Sequence, residues 1–321
     1  MIPDSAPPVA LSLRCLLDHG RSRIFLNAIR LDPYHERDVA AWRRVVARMR
    51  PEDHLIWMTY WHADQAYFEQ AATFYAGLPV PLDHIWVLGN TPDETEAARQ
   101  AGFRSAWVNH NAWLDETRFK PQAVPKQYRA ALVCQLAPYK RIELAARVRG
   151  LALVPAAQFH LHRRVDVANF VDVQLIEQLP SEGVPDLLNR CRSGLILSAE
   201  EGACYSSSEY LLCGLPVVST PSRGGRDVFY TPKNSLLVDP TPEDVARGVD
   251  EVIRRDCNPW HIHDEHVALS RTFRNRFARD VLGAIFKGAG FRGDSESLLR
   301  AIYKHKMMDY ISEEQAFALV R

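Results

Sequence analysis

Two glutamates separated by seven residues frame the segment of this chain with the clearest chemical content. Glu201-Gly202 precedes three serines at 206–208, and Glu209 follows them. Because serine favours the first position of a helix, a helix is predicted to begin near Ser207 with Glu209 in its first turn. The unpaired amides and the positive dipole end of such a helix bind phosphate groups. Carboxylates on either side could accept hydrogen bonds from sugar hydroxyls, so the segment indicates a sugar-nucleotide site.

The residues around the two glutamates must place them correctly. Gly202 is predicted to allow a turn that a Cβ atom would strain and to let amides approach an anion closely. Gly214-Leu215-Pro216 should end the helix, and Val217-Val218-Ser219 is typical of a buried strand in a parallel sheet. The alternative interpretation is a surface strand-loop-helix-strand crossing whose glutamates are only solvated.

The ordered string resembles a known motif. Glu201-Gly202, Glu209-Tyr210 and the run at 213–218, Cys-Gly-Leu-Pro-Val-Val, are similar to the Glu-x7-Glu motif of retaining glycosyltransferases of family 4, which have the GT-B fold. Tyr210 stands where that family commonly has a small residue. The resemblance implies a nucleotide-sugar donor such as a UDP- or GDP-sugar, retention of anomeric configuration, and no cofactor or obligatory metal ion.

The resemblance also implies roles for individual residues. Glu201 would bind hydroxyls of the donor sugar, and Glu209 would bind the ribose. The leaving diphosphate would be stabilised electrostatically by the start of the predicted helix and by the loop before it. The donor-binding residues implied there are Gly202, Ala203, Cys204, Tyr205 and Ser206.

A second segment, 130–141, is similar to the family's strand, loop and helix start at the opening of the donor domain. The family usually has an arginine there and, five residues later, a lysine that together neutralise the diphosphate. Lys140 matches the lysine, Gln135 occupies the arginine position, and Arg141 is the candidate replacement charge. The run 179–188 resembles the loop and helix beside the nucleobase, which makes Val184 a donor-binding candidate.

The amino-terminal half contains three apolar runs of strand length, at 23–28, 55–61 and 84–90, each followed by a helical pattern. This order predicts βαβ units. Thr91-Pro92 here and Thr241-Pro242 in the second half are each predicted to start a helix, with the threonine as its cap. In many relatives a histidine of this half approaches the donor sugar. His62, just after the second run, is the first candidate and His110 the second, although a histidine at a strand end is also a common structural hydrogen-bonding group. The family's glycine pair after the first strand is absent, and Arg30 is a candidate substitute.

These patterns predict an α/β protein of the GT-B type, in which two Rossmann-like domains with parallel sheets face a central cleft. An abbreviated acceptor domain is expected over residues 1–125 and a donor domain over 126–290. A helical segment over 291–321 is expected to cross back to the first domain.

Composition limits the partners and the location. The 321 residues include 39 basic and 39 acidic ones, so no overall field attracts nucleic acid. Neither a signal peptide nor a membrane-spanning run is evident, and six cysteines without a Cys-x2-Cys pair suit a reducing compartment. A cytoplasmic protein is expected. Whether it attaches peripherally to the inner face of a membrane, and its oligomeric state, are left open.

Two histidine runs are also considered. The histidine-rich run 261–266 is interpreted as a helix start rather than a metal site, and His160-Leu161-His162 receives no role.

The resulting hypothesis is a retaining, metal-independent glycosyltransferase of polysaccharide biosynthesis. It would move a sugar from a nucleotide-diphosphate sugar to a glycan, lipid-linked or other acceptor, with Glu201, Lys140 and His62 as the residues at the reacting groups. Two alternatives stay open. One is a GT-B epimerase or hydrolase of nucleotide sugars, and the other is a non-catalytic partner protein that only binds them.

Overall fold

The computed structural model describes residues 9–32, 35–59, 61–155, 166–177 and 179–321. The chain forms two compact units, Met1–Trp113 with Thr272–Arg321, and Leu114–Arg271. The first division therefore falls twelve residues before the expected boundary at 125, and the chain returns to the first unit at Thr272 rather than at 291. The run His160-Leu161-His162 lies outside the described residues.

The sheet of the first unit has six strands in the order β12-β1-β2-β3-β4-β5. Strands β2 to β5 are parallel, and β1 runs antiparallel to both β2 and β12. The three predicted strands are confirmed as β2, β3 and β4, whereas β1, β5 and β12 were not predicted. The strands are β1 (Ala10–Asp18), β2 (Arg23–Asn27), β3 (His54–Met58), β4 (Ile85–Gly89), β5 (Arg104–Trp107) and β12 (Tyr310–Ser312).

Helices of the first unit connect and cover this sheet. They are α1 (Glu36–Val46), α2 (Gln65–Tyr75), α3 (Pro92–Gln100), α8 (Gly283–Ala289), α9 (Ser295–Ile302) and α10 (Glu313–Leu319). Thr91 caps α3 as predicted, because its side chain accepts a hydrogen bond from the amide of Glu94. The end of the chain is attached to the sheet by Arg23, which pairs with buried Asp53 at 2.6 Å and donates to the carbonyls of Leu319 and Val320.

The sheet of the second unit has six parallel strands in the order β11-β10-β9-β6-β7-β8. Its core consists of aliphatic side chains from β6, β7 and β9 packed against the helix that follows β11. The strands are β6 (Ala130–Cys134), β7 (Leu151–Pro155), β8 (Val173–Leu175), β9 (Gly194–Ile196), β10 (Val217–Ser219) and β11 (Ser235–Leu237).

The helices of this unit are α4 (Val184–Asn189), α5 (Tyr205–Leu212) and α6 (Pro242–Arg254), while α7 (Pro259–Arg276) contains the division at Thr272. Two predicted helix boundaries are confirmed. Thr241 caps α6 by accepting from the amide of Asp244. Gly214 follows α5 with a left-handed φ of 75°, and a Cβ atom there would lie 2.5 Å from the Cβ of Pro259, so this position requires glycine.

Candidate functional site

The loop before α5 lies at the carboxyl end of the second sheet, where open α/β sheets bind ligands. Helix α5 begins at Tyr205 with Cys204 as its cap and without a capping side chain. The prediction that the helix begins near Ser207 with Glu209 in its first turn is therefore wrong, because Glu209 lies in the second turn. Gly202 is also not in the left-handed region, so its predicted special turn is absent.

The serines have other structural roles. The hydroxyl of Ser207 donates to the hydroxyl of Tyr230 at 2.9 Å. Ser208 is fully buried, and its hydroxyl has no hydrogen-bond partner among the described residues. The cap position belongs instead to Cys204, which makes no side-chain cap hydrogen bond, so the amides at the start of α5 are uncapped. Within the described chain, the amides of Gly202, Ala203, Cys204 and Ser206 donate to no oxygen.

Tyr210 has a structural role that the small residue common at this position in glycosyltransferase family 4 could not fill. It is completely buried, and its hydroxyl accepts a hydrogen bond from the amide of Val133 in β6 at 2.7 Å. Strands β6 and β9 pair only at Ala131 and Gly194. A Cβ atom at Gly194 would collide with the Tyr210 ring, so glycine in β9 provides the space that the ring occupies. The tyrosine thereby takes a place between two strands and replaces a sheet hydrogen bond.

Lys140 and Glu201 form an ion pair between Nζ and Oε1. Their side chains are only 13% and 8% exposed. Together with Cys134, Cys204 and the ends of β6 and β9, the pair borders a void of about 10 Å³, roughly the space of one water molecule. Lys140 and Glu201 thus lie in direct contact, and their contact closes the space between them.

The local charges are well defined. Burial alone disfavours the Lys140 ammonium, but the Cys204 thiolate, which forms only at high pH, and the Glu201 carboxylate outweigh that cost and raise the pKa of Lys140. Burial also raises the pKa of the Cys134 thiol to about 12 and that of Cys204 to about 11. Both thiols are therefore neutral at physiological pH, and Lys140 is the cation available to an anionic ligand at this point.

The two residues considered in place of the family's arginine, Gln135 and Arg141, have other partners. The predicted helix start after β6 is wrong, because Pro138–Lys140 and Ile142–Ala145 are short 3₁₀ turns joined by Arg141 with a φ of 50°. Arg141 donates to the carbonyl of Leu197 at 2.6 Å and to the hydroxyl of Thr220 at 2.8 Å. Its guanidinium is therefore occupied by the ends of β9 and β10. Gln135 is exposed and accepts from the hydroxyl of Tyr139 at 3.2 Å.

Arg226 is a structural residue that the sequence did not reveal. Its side chain is completely buried, and its guanidinium holds the carboxyl ends of β9 and β10 together. It lies in a loop that also contains Arg223, and no feature of the sequence separates the buried arginine from the exposed one. Its hydrogen-bond acceptors are the carbonyls of Ile196, Ser198 and Thr220, the hydroxyls of Ser198 and Ser219, and the carboxylate of Asp227.

Two further donor-site candidates belong to the same unit. Glu209 is 7% exposed, and its charge adds to burial in raising the pKa of Cys213, one helical turn later. Val184 is half-buried and is the first residue of α4, directly after a 3₁₀ turn at Ser181–Gly183. The carbonyl of Ser181 in that turn accepts from Arg118 at 2.5 Å.

The histidine candidates lie in the first unit. His62 is 23% exposed, and its Nδ1 lies 3.2 Å from a carboxylate oxygen of Glu94. That buried carboxylate also accepts from the amides of Ala63 and Asn90, so it connects the ends of β3 and β4.

The other two candidates of the first unit are Arg30 and His110. Arg30 pairs with Asp32 at 2.9 Å, and its guanidinium lies 5.3 Å from the Trp61 ring centroid. His110 is 2% exposed and bonds through Nε2 to the carbonyl of Leu88 at 3.1 Å, which is a structural role.

Acidification should destabilise the first unit through His110. Burial lowers the pKa of His110 from 6.5 to about 4. The unfolded chain therefore binds a proton that the folded chain excludes, so stability is lost as the pH falls from 6.5 towards 4. In denaturant titrations at pH 7 and pH 4, we expect His110→Gln to lose less unfolding free energy than the wild type, by on the order of 3 kcal/mol.

The control for this prediction is His261→Gln, because His261 is 63% exposed. That variant should show the same loss on acidification as the wild type. An equal loss in His110→Gln and the wild type would contradict the assignment.

The histidine-rich run 261–266 lies within α7, which begins at Pro259, and its acidic residues come after the first turn. His263 bonds through Nδ1 to the carbonyl of Leu212 at 2.6 Å, and His266 stacks on Phe229 at 4.3 Å between ring centroids. These side chains fasten α7 to neighbouring segments. Over the ranges that the structure describes, no cluster of three or more histidine, cysteine, aspartate or glutamate residues could hold a metal ion, and no helix is long and apolar enough to cross a membrane.

Comparison with known proteins places these features in context. Residues 161–265, about a third of the chain, match the family model described as glycosyl transferases group 1. No curated protein sequence matches the chain.

Among solved structures, Anabaena Alr3699/HepE in complex with UDP and glucose is similar over 72% of each chain, with 18% identity and a TM-score of 0.53. The same protein in complex with UDP covers 77% of this chain and 82% of its own, with 17% identity and a TM-score of 0.54. At these identities the likeness shows the fold. The predicted α/β fold with two Rossmann-like units of the GT-B type is confirmed, with the antiparallel β1 as an addition to the first sheet.

Proposed function

We propose that this protein is a glycosyltransferase that takes its sugar from a nucleoside diphosphate sugar. The observation that carries the proposal is the Lys140–Glu201 ion pair beside the uncapped start of α5. It puts one cation, one carboxylate and several unpaired amides at the carboxyl end of a parallel sheet. The matched family segment and the complexes of Alr3699/HepE with UDP support a donor of this class.

The charges suit the departure of a diphosphate. As the bond between the sugar carbon and the phosphate oxygen breaks, its electron pair moves to the phosphate. Lys140 and the amides before α5 would stabilise that negative charge. Glu201 cannot remain fully paired with Lys140 once the diphosphate occupies the ammonium, so its carboxylate becomes an acceptor for hydroxyls of the donor sugar. Donor binding is therefore expected to exchange one ion pair for two separate contacts.

We include a retaining reaction of the family 4 type in the proposal. The acceptor hydroxyl forms its bond to the sugar carbon on the face that the phosphate leaves, and its proton passes to the departing phosphate oxygen. Metal independence belongs to the proposal because Lys140 supplies the positive charge. UDP and GDP sugars are the donors to test first, with glycan or lipid-linked acceptors, and the proposed location is the cytoplasm.

The decisive test is a transfer assay with a panel of UDP- and GDP-sugars and a membrane and glycan extract as acceptor. The proposal expects a labelled sugar to enter a larger product that keeps the donor's anomeric configuration. Epimer formation without an acceptor would favour the epimerase, and release of free sugar the hydrolase. The assay is run with added magnesium and with a chelator, and loss of transfer in chelator would refute metal independence.

One observation favours a second candidate, a protein that binds nucleotide sugars without transferring them. Gln135 is uncharged, and the Arg141 guanidinium is occupied by Leu197 and Thr220, so Lys140 stands without the arginine that the family usually provides. Binding of a UDP- or GDP-sugar by calorimetry, with no transfer in the same extract, would support this candidate over the enzyme.

The role proposed for Glu209 gives a binding prediction. If the carboxylate accepts the ribose hydroxyls, Glu209→Ala should weaken binding of the nucleoside diphosphate by roughly ten- to a hundredfold, the usual effect of losing a hydrogen bond to a charged group. Calorimetry with UDP and GDP measures it. Glu200→Ala is the matched control, because Glu200 pairs with exposed Arg223. This variant should bind the nucleoside diphosphate as tightly as the wild type. Unchanged affinity in Glu209→Ala would remove the ribose assignment.

A further inference from the structure

A cleft of about 370 Å³ opens at the amino end of the sheet in the second unit, between this edge and helix α6. Arg129 immediately precedes β6, and Arg149 lies two residues before β7. Ligands of open parallel sheets are expected at the opposite, carboxyl edge, where Lys140 and Glu201 lie, so this cleft is a separate place. Its volume is within the range of small-molecule sites. We call it the arginine cleft, after Arg129, Arg147 and Arg149, which line it.

Positive charge exceeds negative charge in the arginine cleft. Its lining contains one carboxylate, that of Asp250, which pairs with Arg129. The Nε atom of Arg147 lies 3.7 Å from a carboxylate oxygen of Glu243, outside the lining, and both of these side chains are exposed. The exposed side chain of Arg149 has neither an ion pair nor a hydrogen bond within the ranges that the structure describes. One guanidinium is therefore uncompensated, and the other two are held only by exposed pairs, which contribute little.

The backbone holds two of the arginines beside each other. The amide of Arg129 donates to the carbonyl of Gly150 at 2.9 Å. Gly150 has a left-handed φ of 62°, and a Cβ atom there would lie 3.3 Å from the Cγ atom of Arg129. The amide of Gly150 donates in turn to the carboxylate of Asp172 at 2.8 Å, which fixes this turn. Because residue 150 has no side chain, the stem of Arg129 can lie against the backbone that follows Arg149.

The arginines are accessible, and the residues behind them are apolar. The side chains of Arg129 and Arg147 are 43% and 60% exposed, so a ligand from solution reaches their guanidinium groups. Val148 follows Arg147 in the chain, and Ala246 and Val249 lie one turn apart on α6. These three side chains offer the guanidinium groups no hydrogen-bond acceptor. The donors of the cleft are therefore available to an acceptor that a ligand brings.

The ligand that matches these donors is a phosphate group. A guanidinium presents its N–H groups in a planar fork that fits two phosphate oxygens, and a phosphate monoester carries about two negative charges and three oxygens that can bind different arginines. A carboxylate has one charge and two oxygens, so it would only take the place of Asp250. A cation would be repelled, and a neutral ligand would leave the charge of Arg149 unmatched.

We propose that the arginine cleft binds a phosphate monoester. The phosphate displaces the Asp250 carboxylate from Arg129 and bridges Arg129 and Arg149, with Arg147 at a further oxygen. The same ester group occurs in soluble phosphorylated metabolites and in the headgroup of an anionic lipid, and the test below separates these two sources. The inference rests on this geometry alone and is independent of the proposed transferase function.

The test measures binding of glycerol 3-phosphate to the full chain by calorimetry at low salt, with glycerol as the uncharged comparison. The phosphate ester should bind in a saturable way and glycerol should not. Arg149→Gln should weaken binding by roughly ten- to a hundredfold, because it removes a hydrogen-bonding group of opposite charge. Asp250→Asn should strengthen binding, because the carboxylate no longer competes for Arg129.

Two controls make the result specific. Arg192→Gln removes the same charge from an exposed arginine before β9, at the same edge of the sheet but outside the lining of the cleft, and it should bind like the wild type. Lys140→Ala should also keep the affinity for glycerol 3-phosphate. This second control separates the arginine cleft from the proposed diphosphate site, whether or not sugar transfer is observed.

The source of the phosphate group is tested with phosphatidylcholine vesicles that contain phosphatidic acid, a lipid with the same ester in its headgroup. Flotation with these vesicles that is lost in Arg149→Gln identifies a lipid ligand, whereas binding of glycerol 3-phosphate without flotation identifies a soluble one. The inference is overturned if neither ligand binds, if Arg192→Gln weakens binding as much as Arg149→Gln, or if Asp250→Asn does not strengthen it.

Discussion

Replacing Lys140 with alanine is expected to lower the transfer rate by about 10²- to 10³-fold, the usual cost of removing one group that stabilises charge in the transition state. Lys140 is the cation beside the uncapped start of α5, since Arg141 is held by carbonyl and hydroxyl groups and Gln135 is neutral. Steady-state kinetics with saturating donor measures the effect. The loss should fall mainly on kcat, because the charge on the leaving diphosphate is largest in the transition state.

A second variant separates this role from simple unfolding. Lys140→Ala leaves Glu201 buried without its partner, and breaking a buried ion pair can itself cost about 3–5 kcal/mol of stability. The double variant Lys140→Ala/Glu201→Gln has no unpaired charge at this point. It should therefore be more stable than Lys140→Ala but have no higher turnover. Lys120→Ala, at an exposed lysine of the same unit, is the control. Wild-type turnover in a folded Lys140→Ala protein would remove Lys140 from the diphosphate site.

Replacing Arg226 with methionine should lower the unfolding free energy of the second unit by about 3–5 kcal/mol. The guanidinium is fully buried and serves acceptors at the ends of β9 and β10. Methionine occupies a similar volume but leaves these oxygens buried and unsatisfied. Denaturant titration followed by circular dichroism measures the change. Because these strand ends lead into the loop of Glu201, we also expect weaker nucleotide binding in the fraction that folds.

Arg223→Met is the matched control for this result. Arg223 lies three residues earlier in the same loop, but its side chain is 73% exposed, and it pairs with Glu200 at the surface. Exposed pairs contribute about 0–1 kcal/mol, so this variant should unfold almost like the wild type. Equal destabilisation by the two substitutions would show that burial of the guanidinium is not the cause.

The sequence predicted the elements that local patterns define. The apolar runs of β2, β3 and β4 and the caps Thr91 and Thr241 were correctly placed, because hydrophobic clustering and capping act over a few residues. Strands β1 and β12 were missed. They pair with each other from opposite ends of the chain; β1 has no simple alternation of buried and exposed residues, and β12 is only three residues long.

The candidate site likewise combines features set by neighbouring residues with features set by distant ones. The resemblance named Glu201 in one segment and Lys140 in another as candidates, but it did not predict the ion pair between them. The start of α5 was predicted two residues late because Ser207 has the chemistry of a cap, yet its hydroxyl bonds to Tyr230, 23 residues away. The guanidinium of Arg141, the candidate replacement charge, likewise donates a hydrogen bond to Thr220, 79 residues later in the chain. Such contacts depend on the assembled sheet and cannot be inferred from neighbouring residues.

Tyr210 and Gly194 constrain how this chain can vary. The tyrosine needs a position in β9 without a side chain, and the amide of Val133 needs the tyrosine's hydroxyl. A change to the small residue common in the family would leave both a void and an unsatisfied amide, whereas any larger residue at 194 would displace the ring. We therefore expect that neither position tolerates exchange alone, so Tyr210 and Gly194 form one structural unit in which the ring, the space for it and the sheet amide depend on each other.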